Sequence, residues 1–155
     1  MIAAVIRDSL LFGLYCGGLG IGLTMIRNIE PKTLKPVFIA SCLCGWFFNL
    51  INAFTGLQFI AATAGGFAAA AWIRRGYERK DYAIYFSIVI TSVFCICPGT
   101  AMANLFHGIL TLDPALILSK LLRVLRVGLG LSAGILLAGY AMDRKYRKRV
   151  PEGLR

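Results

Sequence analysis

Residues 82–112 read YAIYFSIVITSVFCICPGTAMANLFHGILTL, an apolar run without Asp, Glu, Lys or Arg, and Cys97-Pro98-Gly99-Thr100 sits in its middle. Proline removes a backbone donor and clashes with the preceding turn, and glycine adds freedom, so a helix through this run kinks or stops. In hydrocarbon the freed carbonyls need protein or water around them, and transporters place substrate sites at such discontinuous helices. The plainer alternative is a packing kink, since Pro and Gly are common in membrane helices.

Composition points the same way. With 58% hydrophobic residues, 15% charged and a mean hydropathy of +0.73, the chain belongs to the integral membrane class. Its 155 residues show no linker, solenoid repeat or low-complexity tract, so one transmembrane domain over 1–155 is expected. Residues 1–8 carry one arginine and one acid and no small-residue cleavage site follows, so the first span is expected to be retained.

The apolar runs predict five transmembrane helices: 9–25, 37–53, 57–73, 82–96 with a broken continuation over 100–112, and 116–140. An all-α integral membrane fold follows, because nothing alternates as a barrel strand does. Arg27, Lys32 and Lys35 follow the first run, Arg74, Arg75, Arg79 and Lys80 the third, and a basic tail over 143–155 the fifth; the connector around Asn52 to Gly56 is uncharged. Basic connectors gather in the cytoplasm, which predicts the N-terminus outside and the C-terminus inside. The net charge of +10 is explained by these flanks, and without an aromatic-interleaved basic patch nucleic acid is not expected as a partner.

The last segment adds chemistry. Residues 127–141 alone are too short for a core needing ~20 residues. Asp113-Pro114 reads as an N-cap followed by a first-turn proline, which predicts one helix from about 115 to 140. That helix carries Arg123 and Arg126, each costing about 2.5–3.5 kcal/mol at a membrane helix centre on insertion scales. They are three residues apart and share a helical face. Either they face a wet or protein-lined interior, or the helix protrudes and they snorkel to headgroups.

Other signals are structural or weak. Gly13 with Gly17, Gly18 with Gly22, Ala62 with Gly66 and Ala70, and Gly130 with Gly134 and Ala138 repeat at four-residue spacing, the pattern of close helix packing. His107 lacks partners at metal-ligand spacing, and Cys42/Cys44 and Cys95/Cys97 lie within apolar runs as small residues, so no metal, cofactor or enzymatic chemistry is expected. Asn49, Asn52, Gln58, Thr63, Thr100, Asn104 and His107 are the polar candidates for a cavity or for interhelical hydrogen bonds.

The Pro98-Gly99-Thr100 motif after a fourth span, the Arg74-Arg75 stop after an Ala/Gly-rich third, and a basic tail after a fifth resemble the short, YjjB-like members of the threonine/serine exporter (ThrE) family. The resemblance runs from about Ser9 to Tyr146. Many relatives carry a further proline three residues before Pro98, where this chain has Cys95. The resemblance implies export of small carboxylate-bearing metabolites such as threonine, serine or succinate across a bacterial inner membrane. It also implies a separate YjjP-like first-half subunit as partner, the two halves forming inverted repeats. The expected substrate site comprises Arg123, Arg126, Thr100, Asn104 and His107 beside the break at Pro98 and Gly99, with the guanidinium groups holding a carboxylate. Expressed by itself the chain is expected to be inactive or to form a symmetric homo-oligomer; the alternative is a non-transporting scaffold or assembly subunit whose arginines bind anionic lipid.

Overall fold

A computed structural model describes residues 2–28, 30–76, 82–96 and 99–147, and all of its elements are helical. They are α1 (Ile2–Ile26), a single 3-10 turn (Pro31–Thr33), α2 (Leu34–Thr55), α3 (Gln58–Gly76), α4 (Tyr82–Phe94), α5 (Gly99–Thr111) and α6 (Pro114–Arg147). Cys97, Pro98, Arg79, Lys80 and the part of the basic tail after Arg147 lie outside the described residues.

Among the described residues, three stretches are long and apolar enough to cross a membrane: Ala3–Ile26, Pro31–Thr55 and Pro114–Met142. The segments expected over 57–73 and 82–112 fall short of that standard for separate reasons. α3 has 19 residues but relies on Ala and Gly, with Gln58 at one end and Arg74 and Arg75 at the other. α4 and α5 have 13 residues each, about 20 Å of helix against a hydrocarbon core of ~30 Å. The outward faces nonetheless carry many large apolar side chains: Leu110 is 82% exposed, Leu136 73% and Ile26 79%. Lipid accepts such a surface and water does not, consistent with a membrane protein.

Small residues set the packing. α1 and α2 run antiparallel with Gly13 and Gly17 against α2: a Cβ on Gly13 would stand 2.8 Å from the carbonyl oxygen of Cys42, and one on Gly17 would meet Cys42 Sγ and Phe38. α3 turns back along α2 through Gly56, which ends α2 at φ 66 with its N–H donated to Asn52 O. α3 and α6 run parallel, since Gly130 faces Phe59, Gly134 faces Thr63 and Phe67, and Arg74 Nη1 donates to Gly139 O at 3.2 Å. The stripes Ala62/Gly66/Ala70 and Gly130/Gly134/Ala138 are therefore one contact, in which backbones approach as closely as missing side chains allow. The pair Gly18 and Gly22 is a correction to the expected pattern: neither has anything within 4 Å, and Gly20, against Ser41 and Val37, is the third packing glycine of α1. Spacing of four recurs on two faces of a glycine-rich helix, so spacing alone does not select the face.

α4 lies over α2 and α3, with Ile88 and Val89 in the core formed by Val37, Ala40, Cys44, Ala69 and Ile73. α5 packs mainly on α6.

Candidate functional site

The helix break is built before the proline. In a continuous helix a proline at 98 would offer no N–H to the carbonyl of Phe94 and its ring would clash with that carbonyl, so a helix approaching it is expected to stop early. α4 accordingly ends at Phe94, and Ile96 N–H closes the turn on Val93 O at 3.1 Å. Three side chains bond back to the carbonyl four residues before them: Thr91 Oγ1 donates to Ser87 O and Ser92 Oγ to Ile88 O, both at 2.7 Å, and Cys95 Sγ approaches Thr91 O at 3.6 Å. Such back-bonding satisfies hydroxyls in an apolar setting and loosens the ladder. Ser41 of α2 completes the group, its Oγ 3.7 Å from Cys95 Sγ; Ser41, Thr91 and Ser92 are all fully buried.

The break also has a depth. A Cβ on Gly65 would lie 3.4 Å from Ile96 Cδ1, and Gly65 is seven residues into α3, roughly 10 Å from its Gln58 end. α4 thus stops part-way along α3 and not level with its end.

α5 and α6 form a hairpin with a sharp tip. Leu112 takes φ 54, its N–H reaches Ile109 O and that of Asp113 reaches Gly108 O, the double bond of a Schellman ending with leucine where glycine is usual. Asp113 then caps α6: Oδ1 accepts from the N–H groups of Ala115 at 3.0 Å and Leu116 at 3.2 Å, with Pro114 at the first helical position. The cap-and-proline expectation holds, and α6 extends further than expected, to Arg147. Gly108 sits against Leu116 and Ile117, which closes the hairpin.

Arg123 and Arg126 are both exposed, as are Asn104 and His107; Thr100, in the first turn of α5, is described in its backbone only. No carboxylate pairs with either arginine among the described residues, where Arg7–Asp8 is the recorded salt bridge. Both arginines continue upstream the stripe of α6 that packs on α3, four residues before Val127 and Gly130 respectively. Because Gly130 faces Phe59 near the start of α3, Arg126 stands roughly 6 Å and Arg123 roughly 10 Å beyond that start. Counted from the Gly108 contact, Thr100 and Arg126 are both about 12–14 Å along the hairpin, so they share a level. Gly66 meets the backbone of Leu131 and its neighbour Gly65 meets Ile96, so Ile96 lies roughly 6–8 Å deeper than Arg126. The arrangement is a cationic ridge above a buried, hydroxyl-lined helix end.

The cysteines are in helix contacts: Cys16 and Cys44 are buried, and a Cβ on Gly45 would lie 2.6 Å from Cys16 Sγ. Among the described residues no His, Cys, Asp and Glu gather in a metal-holding group. Asn49 joins α1 to α2 through Ser9 Oγ at 3.4 Å, and Thr63 returns its hydroxyl to Phe59 O. Ser41, Thr91 and Ser92 are not among the sequence candidates; the Thr-Ser pair one turn ahead of the Cys-x-Cys-Pro stretch is a signal for Thr91 and Ser92, whereas Ser41 joins them only through the packing of α2.

No protein-family model, curated protein or solved structure matches this chain.

Proposed function

We propose that this chain is a multi-pass subunit of a bacterial inner-membrane exporter of small carboxylate-bearing metabolites, succinate or another dicarboxylate, or threonine and serine. In this reading it has five spans, α4 and α5 together making the fourth, with the N-terminus outside and the C-terminus in the cytoplasm. A YjjP-like subunit supplies the inverted first half. The observation that carries it is the apolar helix interrupted between Phe94 and Gly99 at the depth of Gly65, the setting in which transporters bind substrate.

Arg123 and Arg126 would hold the carboxylate by bidentate hydrogen bonds at the outer mouth, Thr100, Asn104 and His107 would orient it, and rocking of one half against the other would alternate access. The basic connectors place Gly56 outside, so an engineered cysteine there should be labelled from the extracellular face. Labelling from the cytoplasm alone would overturn the orientation. A specific observation favours a second reading as well: both arginines stand beyond the start of α3 and are exposed, where they would meet anionic headgroups of a scaffold subunit. Radiolabelled flux of succinate, threonine and serine in proteoliposomes, with and without the first-half subunit, separates the two. Flux that requires both chains is expected of the exporter; none for any substrate, from an assembled pair, supports the scaffold.

A further inference from the structure

A groove of about 640 Å³ runs along the outside of the helix bundle, and no residue of the break or of the arginine ridge lines it. Ala64 and Ala68 of α3 form its floor, and Phe47 and Ile51 of α2 stand on one side. Phe67 of α3 and Leu137 of α6 stand on the other. From Phe59 to Arg75 it follows α3 for roughly 24 Å, most of a ~30 Å hydrocarbon core. Thr63, the one hydroxyl in its wall, already donates to Phe59 O. The lining is therefore apolar from one end until Arg75, whose exposed guanidinium is its single charge.

We infer that this groove is a binding site for one acyl tail of an anionic phospholipid, with the headgroup phosphate on Arg75. The occupant must be apolar along its length and anionic at one end, and a phospholipid has that polarity. A protein helix fits less well. Helices approach closely where small residues line both sides, and here the alanine floor is recessed between aromatic and branched walls, while the Ala62/Gly66/Ala70 face of α3 is already filled by α6. A second copy would bring its own basic residues toward a basic end, because Arg74 precedes Arg75 and the chain carries a net charge of +10. Phosphate on guanidinium is the charge-matched alternative. The inference requires only that α3 lie in lipid; it does not depend on transport.

The chain contains its own probe. Of its two tryptophans, Trp72 lines the groove one turn from Arg75, and Trp46 does not. Trp46 Nε1 is buried without a hydrogen-bond partner, so Trp46→Phe removes the second fluorophore without losing a hydrogen bond. The full-length Trp46→Phe protein is reconstituted in phosphatidylcholine vesicles containing a minor fraction of lipid brominated near the headgroup end of one tail. The brominated lipid is either phosphatidylglycerol or phosphatidylcholine. At equal mole fraction, brominated phosphatidylglycerol should quench Trp72 at least twofold more strongly. Arg75→Gln should abolish that preference, and Ala68→Phe, which fills the floor, should reduce quenching by both lipids. Because Arg75 is exposed, its variant keeps the test sound even where the filled groove impairs folding. Equal quenching by the two lipids, or a preference that survives Arg75→Gln, would overturn the inference. So would weak quenching by both lipids together with cross-linking between chains through a cysteine at Ala68, which would mean that a protein covers the groove.

Discussion

The two halves of α6 are one helix with opposite environments. From Val127 to Ala138 its stripe is buried against α3 through Gly130, Leu131 and Gly134; from Pro114 to Arg126 the same stripe leaves α3 behind and carries Arg123 and Arg126, both exposed. The first half gains its stability from close backbone contact and tolerates no added atoms. The second is held by a cap, a tight hairpin tip and one neighbour, α5, and leaves its charged side chains free to meet something else. Packing density and chemistry are thus segregated along a single element.

That contrast predicts a graded set of responses. Gly134→Leu should be the most damaging change, because even its Cβ would collide with Thr63 O and lie 2.8 Å from Phe67 N, both backbone atoms. Overpacking typically costs ~1–3 kcal/mol, and with backbone in the way the upper end or beyond is expected. Thermal unfolding in detergent should show it, and an unchanged midpoint would mean that α3 and α6 do not meet as described. In the other half, Asp113→Ala removes the acceptor for two N–H groups and should cost ~1 kcal/mol. Its effect should appear as faster amide exchange at Ala115 and Leu116 with little change elsewhere. The smallest effect belongs to Gly128→Ala, on the exposed side of the packed half, where an added Cβ would meet nothing within 4 Å. It should raise stability by about 0.5–1 kcal/mol through helix propensity alone; a loss would reveal a contact at that face.

The same contrast explains what could be read from the sequence. The cap at Asp113-Pro114 was legible because its chemistry is local: an acceptor side chain followed by a residue with no donor. The break was legible for the same reason, although its position moved upstream to Phe94, since a proline acts on the carbonyl four residues before it. The α3–α6 contact was legible as two stripes but not as partners, because spacing within a helix says nothing about which other helix it meets. Gly18 and Gly22 show the cost of that ambiguity. Depth was the least accessible quantity. That Arg126 overhangs the start of α3 follows from the Gly130–Phe59 register, a tertiary fact with no trace in local sequence.

The exporter account is tested most directly at those two arginines. With the first-half subunit present, the Arg123→Gln, Arg126→Gln double variant should fold, insert and assemble as the parent does, because neither side chain contributes an ion pair or buried contact within the described residues. Its flux of the transported carboxylate should fall to background, while lysine at both positions should retain a small fraction, since attraction persists where bidentate geometry is lost. Parental flux from the folded, assembled glutamine variant would contradict the site and leave α6 as a helix whose arginines serve only the membrane surface.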